Sequence, residues 1–174
     1  MSDFTPKIDK RQLDNAETIN AAILKRFDEI KEGDAVRRTH FFHGRFENTY
    51  ISLEDIPELK PVAEAAMACA KEILGTEEEL HYGFWFNEMG PGCCTSLHNH
   101  DEMDELLSAC YYIKVPRNSG CFVAVEDEEK TCIEPEEGSI LFFSPALMHE
   151  VEENQSGETR LSVAFNFGPK EEDE

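Results

Sequence analysis

The second half of the sequence is divided into short segments that are apolar or that alternate between apolar and polar residues. Turn residues separate them, as in GPG (90–92), VPRNSG (115–120) and NQSGE (154–158). Short strands at this spacing are typical of all-β sandwiches and barrels. The predicted strands are 81–89, 93–98, 107–115, 120–126, 130–134, 138–144, 148–153 and 159–167.

The first half predicts two helices. Apolar residues on one helical face predict a helix over 9–31, which Asp9 and Gln12 would begin in a capping-box spacing and Gly33 would end. The run PVAEAAMACAKEIL predicts a second helix within 52–75. Helices followed by a series of strands indicate an α+β chain with a β-sandwich core.

Between these helices, the segment RRTHFFHGRFENTYI (37–51) mixes aromatic and polar residues and favours strand or irregular buried structure. One interpretation is an ordered arm whose polar groups pair with one another. The other is an arm that borders a functional site and meets its substrate through His43, Arg45 and Asn48. The pattern leaves both interpretations open.

A length of 174 residues suits a single domain. We expect residues 1–79 to provide helical support and the arm, residues 80–168 to form the β core, and residues 169–174 to be an acidic tail. No run of about eighteen apolar residues predicts a membrane helix. The N-terminus has no apolar signal-peptide core, so we expect a cytoplasmic location.

Charge and cysteine content restrict the partners and the redox state. The net charge of −21 would repel a phosphate backbone, so nucleic acid and anionic membranes are poor partners. The six cysteines show no C-x-x-C spacing, and in a cytoplasmic chain they predict reduced, mostly buried thiols. The oligomeric state is left open.

Three histidines in the predicted strands have the spacing of a metal site. His98 and His100 are two residues apart and would point the same way on a strand, so both could bind one ion. His149 follows on a later strand, after the apolar run ILFF. Neutral imidazole is a ligand for iron and zinc.

Arg160 adds an anion-binding group to this pattern. If Leu161 and Val163 face one way along the last strand, Arg160 and Ser162 face the other. An arginine inside a β-sandwich needs an anion, because a buried unpaired guanidinium is costly. The anion would be either an acidic side chain or the carboxylate of a ligand held in a bidentate manner.

With these features, the sequence from Trp85 to Phe167 resembles the iron(II)- and 2-oxoglutarate-dependent oxygenases, in particular a branch of predicted hydroxylases with an L-H-x-H, H-x-V and R-x-S pattern. The tail is also similar to that of prolyl hydroxylases. The matching elements are Trp85 and Asn87, Pro91-Gly92, Leu97-His98-Asn99-His100, LLSACYY (106–112), Val115-Pro116 with Ser119-Gly120, IEPEEG (133–138), LFFSP (141–145), His149-Glu150-Val151 and RLSVAFN (160–166).

The resemblance implies a double-stranded β-helix, or jelly roll, with the N-terminal helices packed on one side. It implies iron(II), with 2-oxoglutarate and O2 as co-substrates, and hydroxylation of a substrate with release of succinate and CO2. The implied metal ligands include His98 and His149. The implied co-substrate contacts are Arg160 with Ser162, then Tyr112, and more weakly Asn87 and Asn166.

The sequence departs from the family at the third metal ligand. The superfamily uses a 2-His-1-carboxylate triad, and His100 stands where its carboxylate is expected. His100 could itself be the ligand. Alternatively, Asp101 or Glu102 could supply the carboxylate, or water or an anion could take the position. A three-histidine site would leave the iron more positive, and we expect it to bind iron more weakly and to tolerate acid less.

Two other functions are compatible with the motifs. A cupin-type metal-dependent dioxygenase or isomerase would use His98, His100 and Glu105 without 2-oxoglutarate. A non-catalytic barrel would bind a small acid or sense iron. The Arg160 and Ser162 pair favours the oxygenase, whose substrate would be a small molecule or a peptide-borne group that the sequence does not identify.

Overall fold

The computed structural model describes residues 7–42, 44–100 and 104–170, and within them the chain forms two sheets and two helices. The helices are α1 (Ala16–Ile30) and α2 (Lys60–Leu74), and a 3-10 turn (Pro57–Leu59) precedes α2. The strands are β1 (Asp9–Gln12), β2 (Arg37–Phe42), β3 (Arg45–Tyr50), β4 (Leu80–Met89), β5 (Thr95–His98), β6 (Leu107–Lys114), β7 (Phe122–Glu126), β8 (Glu129–Ile133), β9 (Ser139–Phe143), β10 (Met148–Val151) and β11 (Arg160–Pro169).

The strands form a seven-stranded sheet, in the order β1-β9-β6-β11-β4-β3-β2, and a four-stranded sheet, in the order β5-β10-β7-β8. Neighbouring strands are antiparallel, and neither sheet closes into a barrel. The eight strands predicted after residue 80 are confirmed. The predicted arm is the β2–β3 hairpin at one edge of the larger sheet.

The helices pack on one face of the seven-stranded sheet. Phe27 of α1 contacts Phe86 of β4, with ring centroids 5.1 Å apart, and both are buried. Val163 and Phe165 of β11 belong to the same core. The α+β prediction with helices on one side is therefore confirmed, and the opposite sheet face is left for the functional residues of β11.

The predicted start of the first helix is wrong. Asp9 to Gln12 form β1, which pairs with β9, and α1 begins only at Ala16 after Asn15 in the left-handed region. The capping-box spacing of Asp9 and Gln12 is a weak local preference for a helix start. Backbone pairing of these residues with β9 outweighs it. The predicted segment 1–79 thus contains strands β1, β2 and β3 as well as helices.

The cysteine prediction is wrong for one pair. Cys121, just before β7, and Cys132 of β8 form a disulfide between neighbouring strands. Cys69, Cys93 and Cys110, with Cys94, are free but only partly buried. Sequence spacing could not reveal the pair, because strand register brings the two sulfurs together.

No helix in residues 7–42, 44–100 and 104–170 has the length and hydropathy to cross a membrane.

Candidate metal centre and anion site

The three predicted histidines converge at one end of the four-stranded sheet. His98 is the last residue of β5 and lies opposite His149 of β10. His100 follows β5 by two residues, and its backbone N–H donates to the Pro145 carbonyl at 2.8 Å. One ring nitrogen from each histidine lies within 4.8 Å of the others, which is close enough for one ion.

Backbone carbonyls fix the rings of His98 and His149. The Nδ1 of His98 lies 2.6 Å from the Ser96 oxygen, and the Nδ1 of His149 lies 2.9 Å from the Leu147 oxygen. A carbonyl only accepts, so each Nδ1 carries the proton and donates. In the neutral tautomer that this bond selects, Nε2 is the unprotonated nitrogen, which is the atom that a metal ion binds.

His100 is held by side chains of the larger sheet. Its Nδ1 lies 3.0 Å from both Asn166 Oδ1 and Ser108 Oγ, and the Ser108 hydroxyl donates to the same Asn166 oxygen at 2.7 Å. The Nε2 of His100 is buried and has no hydrogen-bond partner among the described residues. Asn166 thus orients His100, in the manner of the hydrogen-bonded groups that support metal-binding histidines.

Burial keeps the imidazoles of His100 and His149 neutral. Burial, with a smaller contribution from the nearby His98, lowers the pKa of His100 to about 4. Burial likewise lowers the pKa of His149 to about 3, again with a contribution from His98. At neutral pH, protons therefore do not compete with a metal ion for His100 or His149.

Arg160 lies in the larger sheet as a buried cation, only 2% exposed. Its Nη1 donates to the carbonyls of Ser119 and Gly120 at 3.2 and 2.8 Å. Within residues 7–42, 44–100 and 104–170, no carboxylate pairs with it. A buried guanidinium without a counterion predicts an anionic ligand.

Tyr112 supplies a second polar atom at this site. Its ring lies 5.4 Å from the Arg160 guanidinium carbon, and it is the cross-strand neighbour of Ser162. The Tyr112 hydroxyl is buried and has no hydrogen-bond partner among the described residues, and burial raises its pKa well above the usual value. The neutral hydroxyl can therefore donate to an anion.

One cavity of about 320 Å³ between the two sheets joins the histidines to the arginine. This volume is in the range of small-molecule sites. Alternate residues of β11 line it, as the strand periodicity predicted, and Phe122 and Phe143 are its apolar wall. The site residues predicted from the sequence that line this cavity are His98, His100, His149, Arg160, Ser162, Asn87, Asn166 and Asn48.

Of the other predicted residues, Tyr112 lies beside Arg160 but does not line the cavity. The Arg45 guanidinium donates to Asn87 Oδ1 at 3.2 Å, to Cys94 O at 2.9 Å and to Thr95 Oγ1 at 3.1 Å, and Arg45 is not part of the cavity lining. This placement does not favour substrate contact by Arg45. His43, Asp101 and Glu102 lie outside the described residues.

Sequence reasoning missed Ser108 and Glu47. Ser108 shares the strand parity of Tyr112 on β6, and its hydroxyl lies 3.0 Å from His100 Nδ1 although it does not line the cavity. Glu47 lines the cavity from β3 and accepts hydrogen bonds from Ser96, which is 49 residues away. No local signal in the sequence indicates a contact of that range.

Comparisons with known proteins agree with this geometry. A family model described as "Putative 2OG-Fe(II) oxygenase" matches residues 123–166, a range that includes His149 and Arg160. A prolyl-4-hydroxylase from Pseudomonas putida has a TM-score of 0.69 at 18% identity, over 95% of this chain and 94% of its own. No curated protein sequence gave a match.

Two enzymes of nogalamycin biosynthesis are also similar. The non-heme alpha ketoglutarate dependent carbocyclase SnoK has a TM-score of 0.76 at 15% identity, over 94% of this chain and 80% of its own. The epimerase SnoN, solved with Fe3+ and alpha ketoglutarate, has a TM-score of 0.72 at 14% identity, over 94% of this chain and 79% of its own. The chain has the 2OG-Fe(II) oxygenase fold. The predicted double-stranded β-helix and the predicted resemblance are both confirmed.

The residues present fit iron(II) and a dicarboxylate. Three converging imidazoles suit a divalent first-row metal ion, and the buried Nε2 of His100 has no other partner among the described residues. Arg160 lines this cavity and pairs with no carboxylate among the described residues, so it fits a carboxylate ligand there. The Tyr112 ring lies beside it, 5.4 Å from the guanidinium carbon. The site therefore pairs a metal centre with an anion-binding end.

Proposed function

We propose that this chain is a non-haem iron(II)- and 2-oxoglutarate-dependent dioxygenase that hydroxylates its substrate. The observation that carries the proposal is one cavity that holds three converging imidazoles and a buried arginine that pairs with no carboxylate among the described residues. A co-substrate that bridges a metal and a cation explains both.

In the proposed reaction, each residue has a binding or orienting task. His98, His100 and His149 would hold iron(II), and Arg160 would hold the far carboxylate of 2-oxoglutarate with a hydrogen bond from Tyr112. With O2, this centre supplies oxidation of the substrate, coupled to conversion of 2-oxoglutarate into succinate and CO2. Phe122 and Phe143 exclude water from the buried side of the cavity.

Anaerobic titration of the iron(II) protein with 2-oxoglutarate tests the proposal. We expect a visible charge-transfer band, and succinate after O2 is admitted. Arg160→Ala should abolish the band at the same ligand concentration, whereas Arg160→Lys keeps the charge but loses the bidentate geometry and should weaken binding less. A wild-type protein with no band and no succinate would refute the proposal.

The third metal ligand is tested separately. We propose His100 for this position because its Nε2 is buried, neutral and unpartnered among the described residues. His100→Ala should lose iron(II) affinity, and His100→Asp should restore part of it through a carboxylate at the position that the superfamily uses. If His100→Ala binds iron and turns over normally, the three-histidine site is refuted.

The two competing functions have less support. Glu105 lines the cavity, but the cluster of ligand atoms within 4.8 Å consists, among the described residues, of the three histidines alone, which disfavours a cupin-type site. A non-catalytic acid-binding barrel would bind 2-oxoglutarate without forming succinate. We further propose that the protein acts on a neutral or cationic small molecule or peptide-borne group, because its charge of −21 disfavours polyanions.

A further inference from the structure

β5, the strand that leads to His98 and His100, has little backbone support of its own. It is four residues long and is an edge strand, paired with β10 alone. Its register against β10 is interrupted between the positions opposite His149 and Val151. The other edge of β5 therefore needs partners that are not strands.

Side chains of β3 in the larger sheet provide these partners. The two carboxylate oxygens of Glu47 accept hydrogen bonds from Ser96, Oε2 from the backbone N–H at 2.8 Å and Oε1 from the hydroxyl at 2.7 Å. Arg45 Nη2 donates to the Cys94 carbonyl at 2.9 Å. With the bond from Arg45 to Thr95 Oγ1, an acid and a base of β3 thus hold the start of β5 and the residue before it.

Ser96 connects Glu47 to the metal centre. Its carbonyl accepts the His98 Nδ1 proton at 2.6 Å, and this bond sets the direction of the His98 ring. Glu47 is only 7% exposed and, within the described ranges, pairs with no lysine or arginine. A buried carboxylate is retained at such a place only when its hydrogen bonds compensate its desolvation.

We propose that Glu47 is a positioning residue that, through Ser96, holds His98 in the direction required for metal binding. Glu47 itself is not in the ligand cluster found among the described residues, so its effect on the metal is indirect. The proposal rests on the proposed function only in taking the three histidines as a metal site. The hairpin predicted as a substrate-facing arm thereby acquires a role in metal binding.

Titration of the full-length, metal-free protein with cobalt(II), followed by its d–d absorption, tests this role without 2-oxoglutarate. Glu47→Ala should raise the Kd for cobalt(II) by about 10- to 100-fold, as is usual when a supporting group of a metal ligand is removed. Glu47→Gln should restore the affinity to within about threefold, because its amide can accept from the Ser96 N–H and donate to the Ser96 hydroxyl. The d–d spectrum of the cobalt(II) protein should change most in Glu47→Ala and little in Glu47→Gln.

Glu58→Gln is the matched control, because Glu58 pairs with Arg26 away from the cavity and should leave the cobalt(II) Kd unchanged. Wild-type affinity in Glu47→Ala overturns the proposal, and so does a Gln variant as weak as the Ala variant, since charge rather than position would then matter. If Glu47→Ala does not fold, Glu47→Asp replaces it, and wild-type affinity there has the same meaning. A wild-type protein that binds cobalt(II) but no 2-oxoglutarate refutes the oxygenase and leaves this test intact.

Discussion

At the residue scale, two buried polar atoms point to ligands. Among the described residues, three buried side-chain atoms have no hydrogen-bond partner: His100 Nε2, the Tyr112 hydroxyl and the Ser119 hydroxyl. The first two lie beside the metal centre and Arg160. An unsatisfied buried polar group costs about 1–3 kcal/mol, so a fold retains such groups where a ligand satisfies them. His100 Nε2 is the unpartnered atom at the metal centre, and Tyr112 lies beside the cation of Arg160. The two atoms therefore indicate two different ligands.

Tyr112→Phe separates the ligand role of the hydroxyl from its structural role. Loss of one hydrogen bond should weaken 2-oxoglutarate binding to the iron(II) protein by about 3- to 10-fold. The ligand-free protein should be unchanged or stabilised by up to about 1 kcal/mol, because an unsatisfied buried hydroxyl is removed. Calorimetric titration and urea unfolding measure the two effects, and a destabilised variant with unchanged binding would contradict the assignment.

At the element scale, the packing of β9 against β1 and the start of α1 depends on one glycine. Gly138 precedes β9 with φ of +83°, and a Cβ placed there would lie 2.5 Å from the Ala16 Cβ and 2.7 Å from the Gln12 amide nitrogen. The start of α1 and the end of β1 can approach β9 only because this side chain is absent. The same glycine allows Leu13 N–H to donate to its carbonyl at 2.8 Å.

Gly138→Ala should therefore destabilise the protein by about 2 kcal/mol, from backbone strain at positive φ together with overpacking. Gly157→Ala is the control, because its Cβ would have no heavy atom within 4 Å and its φ is not positive. Urea unfolding of both variants measures the difference. Equal stability of Gly138→Ala and wild type would show that β1 is not held against β9 as described.

At the scale of the whole molecule, buried neutral histidines make stability depend on pH. The unfolded chain takes up protons at histidine near pH 6.5. Folded His100 and His149 take them up only near pH 4 and 3. Between these limits, the unfolded state binds more protons, so the free energy of unfolding falls as the pH falls. Acid also reduces repulsion within a chain of charge −21, which acts in the opposite direction.

Matched variants separate the two effects. In the metal-free protein, lowering the pH from 7 to 5 should cost about 2 kcal/mol for each buried histidine. His149→Gln should lose its share of this dependence, while the exposed His81→Gln should keep the wild-type profile. Urea unfolding in the presence of a chelator measures these profiles. Identical pH profiles in His149→Gln and wild type would refute the neutral, buried state of His149.

Much of the fold followed from local periodicity. The strands after residue 80 were predictable because short segments, some continuously apolar and some alternating, are separated by turn residues at the spacing of strands. The same period placed Arg160, Ser162 and Asn166 on the cavity face of β11, since alternate side chains take opposite faces. The spacing of His98 and His100, together with the distant His149, likewise predicted the metal site.

Other features were decided by the tertiary structure. The β1 strand depends on pairing with β9, and the Cys121–Cys132 disulfide depends on the register of β7 and β8. The support of His98 by Glu47 depends on β3 of the larger sheet lying against β5, the edge strand of the smaller sheet. Sequence periodicity sets which face a residue occupies, but sheet order and register set which distant residue it meets.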